Sequence, residues 1–247
     1  MSVPFDAQFS ADDHYFHAEY LTPERADHEA AEILRLLGSP CSGTILDAGC
    51  GDGRLAVRLA RAGLSVTAID HDAGQLDRAR SLASDVGVSM TLVEGDLARL
   101  EFEAEFDFAV MWFNTFGFLD DAANQEVIAG LRRSLKVGGQ LVIDTLNHDA
   151  VVRHLVEAPE VVTIEIGDDR QIDESQFDVV TGRLLDRRTV IRDGQTTTRL
   201  LRLRLPTPPE WGRILGDAGF QVVSMTGENG HPLDLDQWSL VIVAEAV

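Results

Sequence analysis

The chain has 247 residues, 45% of them hydrophobic and 25% charged, the balance of an ordinary globular protein long enough to bury a full core. Its net charge is −20, from 21 Lys+Arg against 41 Asp+Glu, so its surface repels phosphate backbones and nucleic acid is a poor partner. No apolar run is long enough to span a bilayer, and residues 1–20, acidic and broken by His and Asp, lack the form of a signal peptide, so a cytoplasmic protein without a membrane partner is expected.

Residues 1–22 interleave Phe5, Phe9, Tyr15, Phe16 and Tyr20 with acids and histidines. Thr22-Pro23-Glu24 opens a helix, because Thr caps well and Pro fits the first helical position. Ala26, Ala30, Ile33, Leu34 and Leu37 continue it at helical spacing. Strands and helices then alternate: strand 44–48, helix 54–62, strand 65–69, helix 74–86, strands 89–93 and 106–111, helix 125–135, strand 139–144. Such alternation predicts a mostly parallel sheet with helices on both faces. After about residue 157 the pattern changes. Segments 161–166, 183–191 and 197–205 read as strands, with Asp193-Gly194 as a hairpin turn. They predict a small antiparallel insertion. Thr207-Pro208-Pro209-Glu210 caps a further helix. Strands 220–225 and 239–244 flank a polar loop, 227–236.

Cys41 and Cys50 lack metal-ligand spacing and read as free thiols, and no metal is expected. Lys136 is the sole lysine, which argues against Schiff-base or P-loop chemistry. Arg183, Arg187, Arg188, Arg192, Arg199, Arg202 and Arg204 crowd the insertion and read as solvated or paired with acids.

The chemistry is carried by Asp47-Ala48-Gly49-Cys50-Gly51-Asp52-Gly53, between a strand and a helix. Glycines there let a ligand approach bare backbone. Asp70 and Asp96 fall after the next two strands, at the carboxyl edge where ligands of a doubly wound sheet bind. Asp70 suits a ribose diol and Asp96 an adenine amine. A nicotinamide site also begins with a glycine loop, but its last position takes Gly or Ala, and Arg54 stands here. Pyrophosphate prefers a helix N-terminus without acids, whereas Asp47 and Asp52 flank this one. The flanking acids suit a cofactor with a cationic amino group and no phosphate.

This segment resembles the first motif of class I S-adenosylmethionine-dependent methyltransferases. Asp70, Gly95-Asp96 and Leu135-Lys136-Val137-Gly138-Gly139-Gln140-Leu141 resemble its later landmarks. The resemblance covers about residues 40–145 and implies a Rossmann-like α/β fold with a doubly wound, mostly parallel seven-stranded sheet. It implies one domain, 1–247: an N-terminal lid and helix (1–37), a cofactor core (38–150), an antiparallel insertion covering the substrate side (157–205), and a helix and strands completing the sheet (206–247). It also implies that Asp47, Ala48, Gly49 and Gly51 line the methionine part of the cofactor, Asp70 holds the ribose, and His71, Asp96 and Leu97 meet the adenine.

The flanks resemble a small-molecule, N-methyltransferase-like subgroup. Tyr15-Phe16 and Tyr20-Leu21-Thr22-Pro23 resemble its lid, Trp112-Phe113-Asn114-Thr115-Phe116-Gly117-Phe118 its substrate-side loop, and Asp144-Thr145-Leu146-Asn147 the end of its fifth strand. The Asn/Asp-Pro-Pro-Tyr/Phe signature of enzymes acting on nucleic acid or glutamine is absent. The expected reaction is methyl transfer to a small-molecule amine nitrogen, with a hydroxyl oxygen next, in a monomer or homodimer. Trp112 and Tyr20 are expected at the cofactor, and Tyr15, Phe16, Phe116, Asn147 and His231 at the acceptor. Asn114, His17 and His148 are the candidates for orienting or deprotonating it, although a neutral amine needs no base. An NAD(P)-dependent oxidoreductase and a non-catalytic S-adenosylmethionine-binding module are the alternatives.

Overall fold

The computed structural model describes residues 11–40, 42–155 and 160–247. Phe5, Phe9 and Cys41 lie outside them. Seven strands form one sheet: β1 (Thr44–Ala48), β2 (Ser65–Asp70), β3 (Thr91–Glu94), β4 (Phe106–Met111), β5 (Leu135–Leu146), β10 (Phe220–Thr226) and β11 (Ser239–Ala246). Their order is β3-β2-β1-β4-β5-β11-β10. β1 to β5 pair in parallel and β11 runs antiparallel to both β5 and β10. Strand order reverses at β1, between β2 and β4, so a ligand crevice opens at its carboxyl end.

The central strands carry apolar residues on both faces, as burial under two helix layers demands. Leu46, Ala48, Ala109, Met111, Leu141 and Ile143 pack on one side with Trp211 and Leu215; Ile45, Val110, Val142, Val66 and Val241 pack on the other with Ile33 and Leu59. The helices are α1 (Ala11–Phe16), α2 (Pro23–Leu36), α3 (Ala56–Arg61), α4 (Ala73–Val86), α5 (Asp121–Ser134), α6 (His148–Leu155) and α7 (Pro208–Asp217). Thr22 caps α2 through the Arg25 amide, and Thr207 with Glu210 forms a capping box on α7, as the sequence predicts. Among the described residues no helix is long and apolar enough to cross a membrane.

A second, antiparallel sheet of four strands, β6 (Glu160–Ile166), β7 (Asp169–Asp178), β8 (Arg183–Arg192) and β9 (Gln195–Arg204), forms the insertion. The sequence reading gives three strands here and misses β7. Its inward positions Gln171, Asp173 and Ser175 are polar, so it shows none of the apolar alternation by which a strand is recognised. Two helices are also missed: α1, whose six residues carry too little periodicity, and α6. α5 begins earlier than the expected residue 125, because the Asp120 carboxylate accepts the Ala123 amide at 2.8 Å and caps it. β5 begins at Leu135 rather than 139, since Leu135 still pairs with Phe106 across an irregularity in the ladder.

The arginines of the insertion are mostly paired with acids. Arg183 meets Asp121, Arg188 meets Asp13, Asp173 and Asp186, Arg192 meets Asp12, and Arg204 meets Glu210. Two of them fasten the insertion to the core: Arg183 Nη1 donates to the carbonyls of Gly117 and Leu119 at 3.2 Å, and the Arg204 amide donates to Gly117 O at 2.8 Å. A Cβ on Gly117 would lie 2.3 Å from Arg204 O, so only glycine permits this approach.

Candidate active site

A cavity of about 790 Å³ opens at the carboxyl ends of β1, β2 and β4 and runs beneath the antiparallel sheet. It falls in the range of ordinary small-molecule sites, roughly 300–1,000 Å³. Its floor is the turn after β1. Gly49, Gly51 and Gly53 all hold positive φ, at 79°, 54° and 75°. Gly49 and Cys50 donate their amides to Ile69 O at 2.9 and 3.0 Å, which ties the turn to β2. A Cβ on Gly49 would fall 2.4 Å from Thr115 Cγ2, whereas one on Gly51 would meet nothing within 4 Å. Gly49 therefore serves packing, and Gly51 leaves space on the cavity side. Gly51 donates its amide to Asp70 Oδ2 at 2.8 Å, and Asp72 donates its own to Oδ1 at 3.0 Å.

Asp47, next to last in β1, stands in the cavity wall. It is 3% exposed, and its Oδ2 is buried without a hydrogen-bond partner. Burial pushes its carboxyl up to about 7; nearby Arg54 opposes that shift, and Asp70 and Asp52 add to it. A buried carboxylate oxygen left unpartnered is costly unless a ligand satisfies it. Arg54 is itself engaged, paired with the buried Glu29 and lying 5.2 Å from the centroid of the Phe113 ring. Burial also raises the Cys50 thiol far above its ordinary value, which keeps it protonated and inert.

On the β2 side, His71 lies 3.4 Å from Asp70 Oδ1 and is half exposed. Asp96 accepts the Ala98 amide at 2.9 Å and caps the short 3₁₀ turn Leu97–Arg99. On the β4 side, the chain turns sharply. Phe113 and Asn114 hold φ of 61° and 59°. The Phe113 amide donates to Asp144 Oδ2 at 3.0 Å, the Asn114 amide to Asp144 O at 3.2 Å, and Asn114 Oδ1 accepts the Leu146 amide at 2.6 Å. Asp144 is buried and pushed up to about 7, first by desolvation, with Glu29 adding to it. The turn presents Trp112, Phe113, Thr115 and Phe116 to the cavity.

Helix α1 closes one end. His14 Nε2 lies 2.7 Å from Gln75 Oε1 on α4, and His14 Nδ1 lies 3.9 Å from Asp52. His17 Nδ1 donates to Asp13 O at 2.9 Å. A carbonyl can only accept, so the neutral ring carries its proton on Nδ1 and Nε2 is its basic nitrogen.

Of the residues expected from the sequence, the cavity brings together Asp47, Gly49, Gly51, Asp70, His71, Asp96, Leu97, Trp112, Asn114, Phe116 and His17. The others lie elsewhere. Ala48 is wholly buried in the sheet. Tyr20 is 51% exposed, with Arg25 stacked on its ring at 3.9 Å. Tyr15 packs under Arg192 at 4.0 Å, and Phe16 is buried edge-on against Tyr15. Asn147 Nδ2 donates to Asp234 O and Gln237 O at 2.9 Å, clamping the loop before β11. His148 meets Asp149 at 2.7 Å and sets its ring against Phe177. His231 sits in the exposed turn after β10.

The sequence reading expects the insertion over the substrate side but names none of its residues as part of the site. Leu184, Asp186 and Arg188 of β8 and Leu201 and Leu203 of β9 all line the cavity. Alternation in Leu184-Leu185-Asp186-Arg187-Arg188 placed these three on one face, but no local signal says which face meets a ligand.

Residues 45–139 match the family described as methyltransferase domain. The cypemycin N-terminal methyltransferase of a Streptomyces species is 35% identical over 135 residues, 54% of this chain and 54% of that protein. The chain thus spans about half the length of the curated relatives it matches. An S-adenosylmethionine-dependent methyltransferase of Clostridium acetobutylicum has the same fold, with TM-score 0.79, 14% identity and coverage of 96% and 97% of the two chains. The CcbJ methyltransferase of Streptomyces caelestis aligns with TM-score 0.78 at 23% identity, covering 92% and 90%. The fold is that of S-adenosylmethionine-dependent methyltransferases of known structure. Residues 45–139 of this chain thus resemble a methyltransferase domain, and a four-stranded antiparallel sheet lies over the cavity.

Proposed function

We propose that this protein transfers a methyl group from S-adenosylmethionine to a nitrogen of a small-molecule amine. The observation that carries the cofactor is Asp47 Oδ2, a buried carboxylate oxygen without a partner, beside a glycine turn open to the cavity at Gly51. That oxygen fits the cationic amino group of the methionine part, and Gly51 leaves room for its chain. Asp70 is placed for the ribose hydroxyls. His71, Leu97 and Asp96 border the adenine end. The relative that methylates an N-terminus supports nitrogen as the acceptor atom, and the strongly acidic chain favours a cationic acceptor over an anionic one.

When bound, S-adenosylmethionine supplies an already activated methyl sulfonium. The protein's task is alignment and exclusion of water. Trp112, Phe113 and Phe116 offer aromatic faces toward that positive charge. Leu184, Leu201 and Leu203 keep the acceptor side dry. His17 borders the cavity and is the candidate to take a proton from the acceptor. Asn114 shapes the turn rather than touching the acceptor through its carbonyl, because Leu146 occupies that oxygen.

Titration calorimetry with S-adenosylhomocysteine and with NADH tests the cofactor: binding of the first alone is expected, and binding of NADH alone overturns the reading. Incubation with methyl-labelled donor and paired amines and phenols tests the reaction. Label on amines supports it, label on phenols moves the acceptor to oxygen, and tight binding without transfer to any acceptor points to a sensor.

A further inference from the structure

The roof of the cavity is apolar at Leu184, Leu201 and Leu203, and floor residues Phe116, Phe118 and Leu119 face the same space. Within this lining stands one carboxylate of β8, Asp186, whose side chain is 13% exposed. It shares its face with Leu184 and Arg188 and lies across from Leu201 on β9 and Ser175 on β7.

Asp186 is held by one hydroxyl and one long ion pair. Ser175 Oγ donates to its Oδ1 at 3.1 Å. The nearest guanidinium, Arg188, reaches its Oδ2 only at 3.5 Å. Arg188 is committed elsewhere: its Nε and Nη2 reach the two oxygens of Asp173 at 2.7 and 3.0 Å, and its Nη1 pairs with Asp13. Asp13 is also shared by Arg199. Among these residues three carboxylates, Asp13, Asp173 and Asp186, meet two guanidiniums. Of the five, only Asp186 and Arg188 reach the cavity. Asp186 is therefore the carboxylate of this cluster that faces the acceptor space. His14 and His17 border the same cavity from α1. Burial and the neighbouring Asp173 both press the Asp186 carboxyl upward, so a bound cation relieves an existing penalty.

We infer that Asp186 is the specificity determinant for the acceptor: its carboxylate anchors an ammonium group on the substrate, within a pocket otherwise suited to an apolar ring or chain. The inference rests on the small-molecule reading above and sharpens it to cationic acceptors with an apolar body. A polar wall built to pair with one group discriminates strongly against an analogue lacking it, whereas an apolar wall does not.

The probes are matched pairs, benzylamine with benzyl alcohol and cyclohexylamine with cyclohexanol, titrated into protein saturated with S-adenosylhomocysteine. The wild type is expected to bind each amine about tenfold or more tightly than its alcohol, the size of one charge-assisted contact. Asp186→Asn should bring each pair to within about twofold, with S-adenosylhomocysteine affinity unchanged, and Asp186→Glu should restore the preference. Should Asp186→Asn fail to fold, Asp186→Ser carries the same comparison. Equal binding of amine and alcohol by the wild type, or a preference that survives Asp186→Asn, overturns the assignment. Failure of S-adenosylhomocysteine itself to bind overturns the methyltransferase reading instead.

Discussion

Arg199 Nη2 of β9 and Asp13 Oδ2 of α1 meet at 2.5 Å, and Asp13 is wholly buried. The same carboxylate pairs with Arg188 of β8, so one acid fastens the N-terminal helix to two strands of the roof. The next residue, His14, reaches Gln75 of α4. α1 is thereby a bridge between the roof and the cofactor side of the sheet. Removing one partner of a buried pair leaves charge uncompensated, at about 3–5 kcal/mol. Asp13→Ala is expected to destabilise the protein by that order in urea unfolding. Hydrogen exchange should speed up in Ala11–Phe16 and in β8 and β9 before it changes in β1. Uniform protection would show that α1 is held by other contacts.

Asp47 sets a pH dependence. Its carboxyl is pushed up to about 7, so in the free protein it is largely protonated below that pH. Cofactor with a cationic amino group requires the carboxylate. S-adenosylhomocysteine affinity should therefore fall below about pH 7, approaching tenfold per pH unit for one coupled proton. Asp47→Asn should bind weakly at all pH values and lose that slope. Asp144 titrates in the same range, and a slope that persists in Asp47→Asn would assign it to Asp144.

The same group affects stability with the opposite sign from a salt-bridged acid. Its folded pKa lies above the unfolded one, so the folded state binds more protons and ionisation penalises folding. The penalty is absent below the unfolded value near 4, grows up to about pH 7, and is constant above it. Asp47→Asn should thus raise the melting temperature at pH 8 and converge on the wild type toward pH 4. An unchanged difference across that range would show that burial does not control this carboxyl.

Gly49 and Gly51 should respond differently to alanine. Both incur the strain of a positive φ, about 1–2 kcal/mol. Gly49→Ala also drives a methyl into Thr115, whose hydroxyl is bound to Trp112 O at 2.9 Å. It should unfold at clearly lower urea concentration than Gly51→Ala. Gly51→Ala should remain folded yet bind S-adenosylhomocysteine weakly, because its methyl enters the cavity. Comparison of the two by denaturation and calorimetry checks this separation.

Asn114 is expected to act through the backbone it holds. Asn114→Ala leaves the Leu146 amide without its acceptor, at about 1–3 kcal/mol. It also places alanine at positive φ, which Asn tolerates better. Asn114→Asp retains an acceptor oxygen and should recover most of the stability and of the methyl-transfer rate. Recovery of stability without the rate would instead give the Asn114 amide group a direct part in transfer.

The parallel core and the cofactor turn were readable because their signals are local. Apolar runs define β1, β2 and β4. Glycines at positions 49, 51 and 53 announce a left-handed turn that few other residues adopt. Acids at the ends of successive strands then fall beside that turn through the sheet order alone. Tertiary structure decided the acceptor side. Asp13 and Arg188 are 175 residues apart, and nothing in either segment names the other. β7 was invisible because its inward face is polar. That polarity makes sense only once Arg188 is seen to face Asp173, in register across β7 and β8. Tyr15, Asn147 and His148 looked like site residues from their place in the chain, yet their side chains are taken up by Arg192, the loop before β11, and Asp149. The sequence determined where backbone must bend to admit a cofactor, since that is set by residues a few positions apart. Which side chains face the acceptor was decided by long-range pairing of charges and by the face each strand turns inward, neither of which is written in any one segment.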